Sequence, residues 1–436
     1  MTTPALATGR IRVLGFEPAE ISALTHRRVV DTHVTEAAFL WMQRERASTA
    51  PRMRLYHLER LDRRLDGHLQ GLHVAATEGW AATLARLDSC DTGMVFVVAY
   101  LAFAGQDADA MRRALQLGLS QPEFKAPLVA ALGWLSPRQA EAPLSRLAQS
   151  PVAAHRLIAL SAQLLRRRVS DATIEAAAAQ DDAALRAVAL RAIGDFKRYE
   201  LQRVLQQSEH DPDVHCRFWA AHSLALLGQA DAVASAWIAA QGERRLSTPA
   251  IQLAMRWGEH AWAHETVRAL AGDPRSRREA LQAAGALGDP HAVPWLIKHF
   301  DQPRLARVAG ESFCMITGAQ LDDLGLERDA PLADEPPSPD DDPLLLEAEQ
   351  DEDTDLRWPD QAASAAWWAV EGHRFPKGVR HLAGRPVSAA AVQAVLREGS
   401  QRHRQAAALE WARLQDDAPV FPTGAHGVWQ CERLAA

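Results

Sequence analysis

Apolar positions along the middle of the chain fall into helix-spaced stripes, and the same punctuation opens each stripe. A proline or aspartate starts a helix, an arginine follows four or five residues later, and small apolar residues come next. The pairs are Pro151 with Arg156, Asp182 with Arg186, Pro212 with Arg217, Pro274 with Arg278, and Pro303 with Arg307. One register, near residue 243, lacks the proline, yet the flanking intervals keep the beat. A period of roughly thirty residues predicts stacked antiparallel helix pairs, an all-α solenoid. Such arrays usually work by presenting a surface and seldom house chemistry.

Each unit reads physically. In "DPRSRREALQAAGALGDPHAVPWLIKHF", Asp273 is placed to cap the helix that Pro274 opens, Gly288 ends it, and Asp289-Pro290 restarts the chain. Val293, Leu296, Ile297 and Phe300 then form a second apolar stripe. The unit at Asp181 repeats this plan with Leu201, Val204 and Leu205. Ala159, Ala189, Ala220 and Gly310, three positions after the arginine, let neighbouring helices approach closely, and Leu281 breaks that rule. The recurrent arginines are expected to be structural, forking onto carboxylates such as Asp211, Asp213 or Asp273 between units.

Before the array, Val30, Val34, Ala37, Ala38 and Trp41 share one helical face. A second helix is expected from Arg54 to Ala76, striped by Leu55, Leu58, Leu61, Leu65, Leu69 and Leu72. These two would cap the exposed end of the stack. The most apolar stretch, Met94 to Gly105, falls short of the ~20 residues of a membrane helix, so it predicts a buried helix and no membrane insertion.

Four regions follow: an N-terminal helical cap region, 1–118; the repeats, 119–318; an acidic Pro/Asp/Glu-rich linker, 319–360; and a C-terminal helical module, 361–436, that ends the solenoid or folds back on it. From Asp322 to Asp360 stand sixteen Asp or Glu and two Arg, including "ADEPPSPDDDP" and "EAEQDEDTD". The stretch carries −14, and those two segments are expected to be disordered or loosely held. The formal total is −7, so the rest of the chain carries +7. Only Lys125, Lys197, Lys298 and Lys377 are lysines among 48 basic residues, and with so much alanine a GC-rich genome explains this better than selection for phosphate-binding forks. Cys90, Cys216, Cys314 and Cys431 have no paired spacing, and the first residues show no charged and apolar secretory leader. Both point to free thiols in the cytoplasm.

The repeat resembles the HEAT-like repeats first described in phycobilin lyases, with their aspartate, proline, arginine, paired alanines and leucine-glycine. Five copies in register make that resemblance firm. It implies no lyase activity, since fold alone does not fix function. More specific segments lie outside the repeats: "RVVDTHVTEAAFLWMQRERA", "LERLDRRLDGHLQGLHVA", "RVAGESFCMITG", "LRWPD", "FPKGVRHLAGRP" and "QRHRQAAALEWARL". They are similar to a proteobacterial HEAT-like family found in gene neighbourhoods of type VI secretion effectors, a resemblance that carries over no catalytic residue.

Candidate chemistry is sparse. "HAWAHE" sets His260 and His264 one turn apart, but the zincin pattern needs glutamate where Ala261 stands, so the pair reads as surface or interhelix histidines. Helical-repeat di-iron sites need several His-Glu dyads, and His264-Glu265 is alone. His210, His215, Cys216 and His222 cluster without an evident second shell. The expectation is therefore a non-enzymatic protein-binding scaffold or adaptor without cofactor or metal. Its partner would be a protein such as a secretion effector, or a toxin if the role is that of an immunity protein. Trp358, Trp367, Trp368, Arg275, Arg277 and Arg278 are the expected binding residues, as aromatics and arginine dominate binding hot spots. The alternative is a nucleic-acid-binding solenoid whose acidic linker covers a basic groove.

Overall fold

The computed structural model describes residues 27–330 and 353–435. The segments "ADEPPSPDDDP" and most of "EAEQDEDTD", expected to be loosely held, lie outside the described residues. The fold is an all-α solenoid, and the described residues hold 21 α-helices and one two-stranded hairpin. Its residues form two compact units.

The first unit comprises residues 27–48 with Tyr56–Thr173 and Ala425–Trp429. Helices Arg27–Ala47, Thr92–Gly105, Lys125–Trp134 and Ala153–Leu165 pack in succession, flanked by Ala108–Gly118 and Pro137–Ala148. The apolar face expected on the first helix is buried at every position, Val30, Val34, Ala37, Ala38 and Trp41. Trp41 stacks on Phe96, 5.2 Å between ring centroids, inside the helix expected from the apolar run at Met94. The second helix runs from Leu55 to Leu84, but its backbone leaves helical geometry at Ala76, with φ 47°. Leu65, Leu69 and Leu72 of its stripe are buried.

The second unit, Thr49–Leu55, Ile174–Gly424 and Gln430–Ala436, holds most of the repeats. Helices Ala183–Asp195, Val214–Leu226, Arg244–Trp257, Arg277–Leu287 and Pro303–Thr317 pack each on the next. Between them run Gln202–Ser208, Ala232–Ala239, His260–Gly272 and Val293–Ile297. The register without an opening proline is helix Arg244–Trp257, whose proline, Pro249, lies inside the helix. Asp182 and Asp213 cap their helices by accepting from Leu185 N and Cys216 N. Asp273 instead opens a short 3-10 turn, Pro274–Ser276, before the helix begins at Arg277. Ala189 and Ala220 are fully buried as expected. Helices also approach closely at Gly194 and Gly285, where an added Cβ would lie 2.7 Å from Ser223 Cα and 2.9 Å from Ser312 Cα.

The C-terminal residues of this unit depart from a purely helical module. After helix Gln361–Glu371, "FPKGVRHLAGRP" forms a hairpin pairing His381 with Pro386 and Leu382 with Arg385. Its turn residues Ala383 and Gly384 both have positive φ, the geometry that tightens a two-residue hairpin turn. The hairpin lies over two repeat-helix ends, where orphan carbonyls need donors. Ala383 N donates to Met315 O (2.8 Å), Gly384 N to Ile316 O (3.0 Å) and Arg380 Nε to Leu287 O (2.9 Å). Gly288 and Gly318 end those helices in the left-handed region, and a Cβ on either would strike His381 O or Ala383 O within 2.5 Å.

Candidate functional site

Three of the five recurrent arginines share one local device. Arg156 NH1 donates to Ser150 O and Pro151 O, Arg186 NH1 to Gln180 O and Asp181 O, and Arg217 NH1 to Asp211 O and Pro212 O, all between 2.7 and 3.0 Å. Each guanidinium thus ties its helix to the turn that precedes it. Carboxylate pairing occurs as well at Arg186, whose Nε and NH2 each lie 2.8 Å from Asp211 of the following unit. The expectation of carboxylate forks needs correcting for Arg156 and Arg217, whose bonds to these turns are to backbone carbonyls.

Arg278, an expected binding residue, is engaged internally. NH2 and NH1 lie 2.7 and 3.1 Å from the Asp353 carboxylate, with both side chains largely buried. Arg307 NH1 donates to Asp353 O (3.0 Å) and its guanidinium lies 4.9 Å from the Trp358 ring centre. Arg328 approaches the same ring at 5.8 Å. Asp353 therefore occupies for Arg278 the place that Asp211 occupies for Arg186. The described ends of the acidic linker are consequently anchored. Arg328 N donates to Trp358 O and Asp360 N to Leu326 O.

Trp367 and Trp368 are half-buried and adjoin one another at 6.4 Å. Trp367 meets Phe313 edge-on at 5.6 Å, and Trp368 packs on Phe375 at 5.4 Å. The three tryptophans thus contribute to internal packing. Arg277 is half-buried, and Arg275 is exposed.

A constellation that sequence spacing missed forms around "HAWAHE". His260 and His264 Nε2 lie 3.0 Å apart, and Asp289 Oδ2 is 3.8 Å from the first and 3.2 Å from the second. The carboxylate comes from the turn after Gly288, where Oδ1 accepts from His291 N (2.9 Å) and Gly378 N (3.2 Å). Those two amides leave Oδ2 facing the imidazoles. Burial holds the His264 pKa below its ordinary value, with His260 acting in the same sense and Asp289 opposing. Asp289 had been read from sequence only as a helix restart, and no local pattern signals that its side chain reaches a neighbouring helix. Elsewhere in the unit, an open cleft of about 550 Å³ is lined by Lys197, Tyr199, Trp257, Arg413, Asp416 and Asp417.

Residues 170–246 match the family profile described as HEAT repeats. This match supports a HEAT-like repeat architecture, and HEAT repeats generally mediate protein interactions. No curated protein and no solved structure matches the chain. No helix among the described residues is long and apolar enough to cross a membrane.

Proposed function

We propose that the protein is a cytoplasmic protein-binding scaffold, acting as an accessory factor that holds or loads a type VI secretion effector. The observation that carries the scaffold reading is the run of HEAT repeats over residues 170–246, whose helices pack in succession. Such an array presents an extended surface without refolding on contact. The effector assignment rests on the sequence segments outside the repeats. An immunity protein that neutralises a toxin would use the same kind of surface, and phenotype separates the two. Deletion causes failed effector delivery for an adaptor and self-intoxication for an immunity protein.

Nucleic-acid binding is the weaker reading. It needs arginines free to meet phosphates, whereas Arg186 and Arg278 are spent on carboxylates and Arg156 and Arg217 on backbone carbonyls. Arg256 is buried. The test is co-purification of the tagged full chain from its native cell, with nuclease-treated and untreated lysates in parallel. Recovery of an effector, toxin or secretion-spike component at fixed stoichiometry supports the scaffold. Recovery of nucleic acid alone, or of no stable partner, refutes it.

A further inference from the structure

We propose that His260, His264 and Asp289 form a binding site for one divalent first-row transition-metal ion, of which zinc(II) is the representative. Helix geometry supplies the first two ligands, since His260 and His264 are one turn apart and their Nε2 atoms converge. The third is supplied by the buried turn at Asp289, which is only 3% exposed and fixed by two backbone amides.

The triangle of donor atoms has edges of 3.0, 3.2 and 3.8 Å. A point near its plane lies about 2.0 Å from all three corners, and zinc bonds to imidazole nitrogen and carboxylate oxygen at about 2.0–2.2 Å. The three atoms are therefore already placed at bonding radius around one centre. Hydrogen bonding serves this arrangement poorly. Each Nε2 carries at most one proton, so three atoms at these separations are satisfied only by sharing, whereas a cation accepts a lone pair from each. Two imidazoles and one carboxylate suit zinc, iron, cobalt or nickel better than the hard cations calcium and magnesium.

The remaining coordination positions have access to solvent, because the His260 side chain is 46% exposed. A water or a donor from a binding partner completes the sphere. The orienting bonds on Asp289 Oδ1 play the part that outer hydrogen bonds play at metal sites generally. One of them, from Gly378 N, comes from the segment that leads into the hairpin. A bound ion would thus fix helix His260–Gly272, the Asp289 turn and that segment to one another.

The test uses the full chain stripped with a chelator and dialysed, then titrated with zinc(II) by calorimetry and with cobalt(II) by visible absorption. The wild type is expected to bind one equivalent, with cobalt bands of a low-coordinate nitrogen and oxygen site. H260Q/H264Q and Asp289→Asn are expected to weaken that equivalent by about 100-fold or more, given that loss of even an outer-shell partner costs 10–100-fold. Because His260 is exposed and His264 only partly covered, the histidine variant should keep the wild-type circular dichroism spectrum. H33Q/H68Q serves as the control, since His33 and His68 form another close imidazole pair, 3.0 Å between Nδ1 atoms. Absence of a one-equivalent site, its persistence in H260Q/H264Q, or its loss in H33Q/H68Q overturns the proposal.

Discussion

Glu410 lies at the centre of the most concentrated buried charge cluster described for the second unit, and replacing it by glutamine should destabilise that unit severely. Its side chain is 2% exposed. Arg413 Nε lies 2.9 Å from Oε2, Arg256 Nε lies 3.3 Å from Oε1, and Arg380 NH2 also pairs with Oε1. Arg380 and Arg413 are partly exposed and can turn to water when the carboxylate is lost. Arg256 cannot, being as buried as Glu410 itself, and burial already pulls its pKa down to about 10 against the support of Glu410. Removing one partner of such a pair strands a charge and costs about 3–5 kcal/mol. At about 2–4 °C per kcal/mol for a unit of this size, Glu410→Gln should melt roughly 10 °C lower by calorimetry. Removing both buried charges together, as in Glu410→Leu with Arg256→Met, should restore most of the loss. The wild type adds a pH signature. Burial works against the Glu410 charge, but the guanidiniums, led by Arg380, outweigh it and hold the pKa below the ordinary glutamate range. A depressed folded pKa gives stability that is present above the unfolded value of about 4.3 and lost as pH falls through the folded value. A Glu410→Gln melt within about 1 kcal/mol of wild type, or a double variant no better than the single, would refute the reasoning, since stranding a buried charge should cost several times that.

Two further outcomes follow from other charged groups. In the first unit His426 Nε2 lies 3.1 Å from Asp66 Oδ2, and although burial opposes the charge, that bond and Asp62 raise the imidazole pKa above its ordinary value. A raised folded pKa gives stability that is full below the unfolded value of about 6.5 and lost as pH climbs through the folded one. The first unit should therefore melt higher at pH 6 than at pH 8.5, and His426→Gln should remove that component of the difference, read by fluorescence from neighbouring Trp134. Asp353→Ala should cost about 2 kcal/mol, as expected for hydrogen bonds to a charged group, because it takes the carboxylate from Arg278 while leaving in place the backbone carbonyl that Arg307 uses. The exposed Asp329→Ala should leave stability unchanged, both measured by urea unfolding.

Particular residues show where sequence was informative and why it stopped. Gly288 was readable as a helix end because a left-handed cap is a local requirement, and Gly318 meets the same requirement in the structure. Their second role, admitting the hairpin backbone, depends on residues distant in sequence and leaves no periodic trace. "HLAGRP" carries a turn signal in Ala383-Gly384, but flanking strands of two residues each are too short for alternation to register. The break at Ala76 falls where the leucine stripe predicted the second helix to end, and what sequence did not show is that another helical segment continues directly from it to Leu84.

Charge partners are the extreme case of the same limit. Arg278 has the sequence context of Arg186, yet its carboxylate is Asp353, near the far end of the acidic stretch, because the next repeat begins Gln302-Pro303 without an acidic residue at the position of Asp211. At Arg278 the following repeat supplies no counter-ion, and a residue from outside the array takes its place. The same physical requirement, that a largely buried guanidinium find an acceptor, therefore explains both the regular repeats and the anchoring of the irregular segment after them. Surface residues selected by composition alone, such as Trp358 and Arg278, were drawn inward by that requirement. The three donors around His260 converge from two elements that the repeat already holds in register.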